Sequence, residues 1–562
     1  MLPLLIRILL ILLPLSLIST TYLYFYPAFH SCAFPSPGVP ENISWWSRAT
    51  QFSYGYDLPG PDPAPFRLLA LGDPQLEGDS SLLNPEDGYF PSLQALWPDL
   101  QGANSTNDRL QVIQHITRDL VVSDVPRILQ SWRKRLDLLG NDYYLAHIYR
   151  TMHWYTQPTH VTVLGDLIGS QWVSDEEFER RGWRFWHRVF KDGTRVEDEV
   201  TEGGHVGTLG QARSWERRIV NVAGNHDVGY AGDMSLERIE RFERVFGRAN
   251  WETWFVLSQD QANDTDRQDS VNQPEIRIIV MNSLNLDTPA LDTNLQGDTY
   301  TFINDAIGAS RPVDDRTTAT ILLTHLPLPK DAGICVDGPH FDFYSDEEGG
   351  GLKEQNHLSY NAGKGILEGI FGMSGNPDTP GKGLGRNGII LTGHDHEGCD
   401  VYHHLPNDEE KGSRVWKAKR WSDADTHMNE SVPGLREITV RSMMGEFGGN
   451  AGLLSAWFDD NIREWRFCYS TCSIGIQHVW WAVHILDVIV VGFLLAVAWT
   501  SVLYVAGLSG SSGSKNKFAE GHRDVTTPLK ERESNRLDKA NIMIGSNYLE
   551  DLSVGTARRR RA

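Results

Sequence analysis

Apolar residues fall in short, nearly unbroken runs along this chain, at 66–71, 159–164, 218–223, 275–282, 318–323, 388–392 and 437–441. Each run is rich in Val, Ile, Leu or Thr and too short for an ordinary helix. Continuous rather than alternating apolar character predicts strands covered on both faces. Between the runs, residues 110–139, 174–191 and 235–246 carry apolar positions at helical spacing among mixed charges. Strands alternating with helices predict α/β layering. Residues 326–386 are Gly-rich at 347–352 and 372–385 and read as a loop insertion of the kind that shapes a substrate pocket.

Two longer apolar segments frame this pattern. Residues 488–508 are 21 in a row without a charge, preceded by Trp480 and Trp481, and are long enough to cross a bilayer. A buried core helix is the alternative. His484 and Asp487 at its leading edge mark the interface. Residues 2–26 are apolar except for Arg7 and lack a clear Ala-x-Ala site, so they read as an uncleaved anchor, with a cleaved signal peptide as the alternative. The expected layout is an anchor at 1–28, a Pro- and Gly-rich linker at 29–65, a globular domain at 66–470, a membrane helix at 479–508 and a disordered tail at 509–562.

Charge adds a direction. The 562-residue chain carries a net −21, which argues against nucleic acid as its partner. Residues 509–562 hold 11 basic and 7 acidic side chains, whereas residues 29–508 hold 40 basic and 66 acidic. Positive charge at both termini places them on the cytosolic side and the acidic middle in a lumen. The sequons at Asn42, Asn104, Asn263 and Asn429 all lie in that middle. A lumen would permit disulfides among Cys32, Cys335, Cys399, Cys468 and Cys472, whose pairing the sequence leaves open. The final run Arg558–Arg561 reads equally as a retrieval signal or as positive-inside charge.

Five short motifs each follow an apolar run. They are Gly72-Asp73-Pro74-Gln75, Gly165-Asp166-Leu167-Ile168-Gly169, Gly224-Asn225-His226-Asp227, Thr324-His325-Leu326-Pro327 and Gly393-His394-Asp395-His396. Any one alone is as readily a surface turn or a capped loop. Together they place several O and N donors beyond the carboxyl ends of strands, where open α/β sheets bind ligands. Two divalent cations around a shared carboxylate need such a donor set.

The order of these motifs resembles the calcineurin-like metallophosphoesterases over about 66–441. The resemblance implies a four-layer αββα sandwich with loop insertions, flanked here by two transmembrane helices. It implies that Asp73, Gln75, Asp166 and His396 hold one metal, and that Asp166, Asn225, His325 and His394 hold a second, with Asp166 bridging. His226 would be the general acid and Asp227 its orienting partner. Two positions depart from the family pattern. Gln75 stands where His is usual, and its harder amide oxygen favours Mn²⁺ or Mg²⁺ over Zn²⁺. Gly169 stands where an acidic residue is usual.

Within that family, Ala70-Leu-Gly-Asp-Pro-Gln-Leu, Gly140-Asn-Asp-Tyr-Tyr-Leu-Ala-His, Val222-Ala-Gly-Asn-His-Asp-Val-Gly and Met281-Asn-Ser-Leu-Asn-Leu-Asp resemble the fungal membrane phosphoesterases that remodel GPI anchors in the endoplasmic reticulum. That resemblance implies removal of an ethanolamine-phosphate branch from a mannose, the second by this branch's pattern. Substrates would be GPI-anchored proteins or GPI glycolipid, with contacts to cargo receptors. The alternatives are a phosphodiesterase for another headgroup or nucleotide, or a non-catalytic sorting or Mn²⁺-handling membrane protein. Tyr143, Tyr144, His147 and His153 would line a glycan pocket or simply build core. Arg441 would contact phosphate or form a salt bridge.

Overall fold

The computed structural model describes residues 2–37, 63–78, 82, 88–210, 215–258, 273–406, 414–423 and 432–507. Asn42, Asn263, Asn429, most of the 29–65 linker and the 509–562 tail lie outside these residues. Asn104 is exposed between the helices Pro91–Gly102 and Thr106–Asp119. Met1–Ser501 forms one compact unit; of the other, Val502–Ala562, only the last turn of the C-terminal helix and its end are described.

The apolar runs form strands whose ends fall within a few residues of those expected. Sixteen strands, numbered in chain order, are described, and fourteen of them lie in two large sheets. The first sheet holds β1 (Phe66–Leu71), β2 (His160–Val163), β3 (Thr194–Arg195), β5 (Arg218–Asn221), β15 (Asn450–Asp459) and β16 (Glu464–Ser473), in the order β16-β15-β1-β2-β5-β3. The second holds β4 (Val206–Leu209), β6 (Trp251–Leu257), β7 (Glu275–Val280), β8 (Thr318–Leu323), β11 (Asn387–Thr392), β12 (Cys399–His404), β13 (Lys417–Arg420) and β14 (Gly434–Thr439). Its order is β13-β12-β14-β11-β8-β7-β6-β4. Pairing of β1 with β2, β2 with β5, and β7, β8, β11 and β14 in succession is parallel.

Each central strand is buried on both faces, as the unbroken apolar runs require. Phe66, Leu68 and Ala70 of β1 join Ile276, Ile278, Val280, Ile321 and Leu323 in a core between the sheets. Leu69, Leu71, Val161 and Val163 point the other way, under Tyr144, Leu145, Met152, Phe178 and Phe185 of the helical layer. Ile279, Leu322 and Ile390 meet Ile303, Ala306 and Ile366 on the far side. The result is the expected αββα sandwich.

Residues 326–386 are more ordered than a loop. They contain the hairpin β9 (Phe341–Phe343) and β10 (Leu352–Gln355), and the helix Tyr360–Gly365, which runs on into a π-turn at Ile366–Ile370. The strands are too short and polar to give an apolar signal. The helical stretch expected at 110–139 is longer, extending without a break from Thr106 through a π-turn at Leu120–Asp124 to Thr156.

The helices Leu2–Tyr24 and Gln477–Val505 are both long and apolar enough to cross a membrane. They pack together through Asp487, whose carboxylate accepts hydrogen bonds from Ser16 Oγ at 2.6 Å and Thr20 Oγ1 at 2.8 Å. Asp487 is therefore an inter-helix contact rather than a simple interface marker. Disulfides join Cys32 to Cys472 and Cys335 to Cys399, using four of the five cysteines. The first ties the N-terminal helix to the end of the sandwich.

His160 illustrates the price of a polar group in this core. It lies among Phe66 at 4.6 Å, Phe255 at 4.6 Å and Trp215 at 5.7 Å between ring centres. Burial, reinforced by Arg67, depresses its pKa to about 3. A depressed imidazole contributes stability above the usual value near 6.5, and that contribution falls away as pH drops toward 3. His160→Phe is therefore expected to lose less stability than wild type between pH 7 and pH 5, by about 2 kcal/mol at pH 5. Denaturant midpoints at both pH values check this; equal pH dependence in the two proteins would contradict it.

Candidate metal centre

The five motifs converge. Asp73 follows β1, Asp166 follows β2, Asn225 follows β5, His325 follows β8 and His394 follows β11, so both sheets deliver side chains from their carboxyl ends. The turns are tight. Asp73, Gln75, Asp166 and His394 all have positive φ, at 47°, 41°, 50° and 75°. Four non-Gly residues in the left-handed region at one place is stored strain of the kind found at functional sites. Gly165, at φ 92°, leaves room that a Cβ would fill at 2.2 Å from His325 Nδ1. A Cβ on Gly224 would lie 2.0 Å from the Asp166 amide nitrogen. The glycines of these motifs thus serve close approach as well as turning.

Hydrogen bonds to backbone carbonyls fix the orientation of two imidazoles. His325 Nδ1 lies 2.8 Å from the Leu164 carbonyl oxygen, and His394 Nε2 lies 3.1 Å from that of Gln355. A carbonyl only accepts, so these nitrogens carry the protons. Burial holds both rings neutral: the pKa of His325 is lowered, and that of His394 falls to about 3. The lone pairs of His325 Nε2 and His394 Nδ1 therefore face inward. They meet Asn225 Oδ1 at 2.9 and 3.0 Å, and His325 Nε2 lies 3.4 Å from Asp166 Oδ1. Two imidazole lone pairs, an amide oxygen and a carboxylate oxygen thus crowd together, a donor set that a cation can satisfy.

Asp166 also faces the other way. Its Oδ2 accepts from Gln75 Nε2 at 3.0 Å, and that nitrogen lies 3.1 Å from His396 Nε2. Asp73 is fully buried; its Oδ1 accepts from the His394 amide at 3.0 Å, and its Oδ2 has no hydrogen-bond partner. Burial and the neighbouring Asp166 raise the Asp73 pKa well above the carboxylate range. Burial acts the same way on Asp166, but His325, His226 and His394 outweigh it and hold that carboxyl below its usual value. The potential ligand atoms form two groups, Asp166-His325-His394 and Asp73-Asp166-His396, with the atoms of each group within 4.8 Å of one another. Asp166 belongs to both. These residues fit divalent metal binding.

Two expectations from the sequence are altered here. Gln75 turns its amide nitrogen, not its oxygen, toward Asp166 and His396; a half turn of the amide would present Oε1 at the same place. Asp227 does not orient His226. Its carboxylate accepts from the amides of Gly224 at 2.9 Å, Leu167 at 3.1 Å and Ile168 at 3.0 Å, while His226 Nδ1 has no hydrogen-bond partner. A fully buried carboxylate that bridges two motif loops is their brace. His226 itself donates its amide to Asp166 Oδ1 at 2.9 Å and brings Nε2 to 3.8 Å from Asp166 Oδ2. Its side chain is 36% exposed, against 2% for Asp166 and 0% for His325, so it stands at the mouth of the centre.

No family model matches the chain. Protein TED1 of Saccharomyces cerevisiae is 30% identical over 548 residues, covering 87% of this chain and 97% of the relative. The chain belongs to the calcineurin-like metallophosphoesterases. More distant members agree: Metallophosphoesterase 1 of Macaca fascicularis is 23% identical over 323 residues, 56% of this chain and 68% of the relative. That of Cricetulus griseus is 24% identical over 276 residues, 48% and 57% respectively.

Sequence reasoning missed the supports of this phosphoesterase centre. Gln355 acts through its carbonyl, Leu164 likewise, and Ser442 donates its hydroxyl to the Asp73 carbonyl at 3.1 Å. Backbone acceptors leave no side-chain signature. Tyr144 and His147 are buried core, with Tyr144 donating to the Gly475 carbonyl at 2.6 Å. Arg441 makes a salt bridge to Glu397 at 3.2 Å.

Asp227→Asn replaces one acceptor oxygen with a donor facing backbone donors. It is expected to cost at least about 2 kcal/mol of unfolding free energy. Chemical denaturation measures this; a wild-type midpoint with lost turnover would make Asp227 an orienting group for His226 instead.

Proposed function

We propose that this metal-dependent phosphoesterase is a two-metal phosphodiesterase that removes an ethanolamine-phosphate branch from a mannose of GPI anchors, in the lumen of the endoplasmic reticulum. The observation that carries the catalytic part is the pair of ligand groups sharing Asp166, with His226 at their open edge. Asp73, Gln75, Asp166 and His396 hold one cation; Asp166, Asn225, His325 and His394 hold the other, with Mn²⁺ favoured by the oxygen-rich first group. Bound cations neutralise charge on the phosphoryl oxygens and activate the attacking water. The residues of the chain do the rest. The Leu164 and Gln355 carbonyls keep His325 Nε2 and His394 Nδ1 deprotonated and aimed. The Asp227 brace keeps the Asp166 and Asn225 loops at a fixed separation. His226 Nε2 delivers a proton to the leaving alkoxide, a transfer worth about 10²–10⁴ in rate.

The substrate reading rests on family membership and on where the centre sits. Phe447 packs its ring 4.8 Å from that of His396. Two residues earlier, Gly445 abuts Gln477, the first residue of the C-terminal apolar helix. The metal centre is thus one short turn from the start of a membrane span, within reach of a substrate held in the lipid surface. Two disulfides and the exposed sequon at Asn104 suit an oxidising, glycosylating lumen. GPI-anchored proteins or free GPI glycolipid are then the substrates, and their remodelling supports export of such cargo.

Mass spectrometry of GPI glycans tests this in cells lacking the protein, complemented with wild type or His226→Ala. An additional ethanolamine phosphate should accumulate without the protein, disappear with wild type and persist with His226→Ala. Unchanged glycans in every strain would redirect the search to another phosphodiester. Normal glycans with His226→Ala would favour the non-catalytic sorting role.

A further inference from the structure

The continuous helical rod Thr106–Thr156 has two working faces in its last 32 residues, Val125–Thr156. At about 3.6 residues per turn, Ser131, Leu138, Asp142, Leu145, Tyr149 and Met152 share one side, and all are buried against the sandwich. The opposite side meets the two apolar spans. Gly140 leaves so little room that a Cβ would strike the Trp481 ring. His147 packs edge-on to Tyr24 at 4.9 Å, and Trp154 packs edge-on to Phe25 at 5.9 Å. Over this length the rod crosses the ends of both spans, touching Tyr24 and Phe25 at the end of the first and Trp481 within the first turns of the second.

That same side continues beyond Gly140 toward the N-terminus and is largely exposed there among the described residues. Val125, Leu129, Trp132 and Leu136 follow one another at spacings of three and four residues, in phase with Gly140, His147 and Trp154. Leu129 is 64% exposed, Trp132 54% and Leu136 58%. A row of large apolar side chains this exposed is not the surface of a freely soluble domain. Its flanks are basic. Residues 125–143 hold four basic and two acidic side chains in a middle region that is otherwise strongly acidic, and the guanidinium of Arg135 lies 5.8 Å from the centre of the Trp132 ring. Trp and Arg beside an apolar stripe are the composition of a helix lying in a membrane interface, where long basic stems reach up to headgroups.

We propose that the Val125–Leu136 face of this helix rests on the lipid surface from which the two spans descend, as a third point of membrane contact. This rests on the reading of Leu2–Tyr24 and Gln477–Val505 as spans. Continuity decides the occupant: the helix face that leaves the spans at Gly140 has lipid as its next neighbour at that level. The contact would fix the tilt of the sandwich over the bilayer and with it the height of the metal centre near Gln477.

The test uses full-length protein in nanodiscs of phosphatidylcholine with a minority of phosphatidylserine. Single reporters are introduced as Leu129→Cys, Leu136→Cys, Gln130→Cys and Leu494→Cys, each in a Cys468→Ser background, and labelled with an environment-sensitive fluorophore. All are surface positions, so folding is preserved, which wild-type turnover of a small soluble phosphodiester verifies. Expected are blue-shifted emission at 129 and 136, strong quenching by lipid carrying a spin label near the headgroup, and protection from aqueous iodide. Gln130, on the flank of the helix, should remain open to iodide. Quenching at 494 by spin-labelled lipid reports the span itself; its failure would remove the premise rather than the contact. Quenching at 494 with iodide-accessible labels at 129 and 136 would overturn the proposal. Blue-shifted labels at 129 and 136 that lipid does not quench would also overturn it, in favour of a protein partner.

Discussion

Lone pairs that face one another inside a protein must be reconciled by a proton, a water or a cation. Around Asp166 the imidazole protons are already committed elsewhere. His325 gives its own to the Leu164 carbonyl and His394 gives its own to the Gln355 carbonyl, so both inward nitrogens meet Asn225 Oδ1 and the Asp166 carboxylate as acceptors. Burial closes the other escape, because protonating either ring is penalised where solvent is excluded. A cation is the species that turns this crowding from repulsion into binding. The rest of the architecture can be understood as what is needed to hold that arrangement.

Holding it is demanding. Five loops from two sheets must meet within a few ångströms, and four of the meeting residues adopt left-handed backbone conformations. Asp227 takes three amides from two of those loops, and Ser442 ties down the Asp73 loop. These are buried hydrogen bonds, and removing one partner of such a bond leaves the other unsatisfied. Parallel strands buried on both faces supply the rigid floor beneath them.

The floor was legible in the sequence because a strand covered on both sides has few polar positions to interrupt it. That is why 66–71 and 318–323 coincide with β1 and β8. The converging side chains were legible because each follows such a run at short distance and is chemically distinctive. What stayed hidden acts through the backbone or through tertiary neighbours. Gln355 contributes a carbonyl from a strand, Leu352–Gln355, in which only Leu352 is apolar. Asp227 lies next to His226 in the chain, yet the turn points its carboxylate back under the loops; adjacency in sequence says nothing of direction. Tyr144 and His147 look like pocket aromatics in a polar helix, but the neighbours that bury them, Trp480 and Tyr24, come from opposite ends of the chain.

The His396 side of the centre is joined to the start of the C-terminal apolar helix through the Phe447 turn. The proposed function requires that Asp166 serve two cations at once. Metal analysis of purified protein, comparing wild type with Asp166→Asn and His394→Ala after equilibration with Mn²⁺, tests this most directly. The account predicts about two ions per chain in wild type, loss of both in Asp166→Asn and retention of one in His394→Ala. Wild-type metal content in Asp166→Asn, or a single ion in wild type, would contradict it.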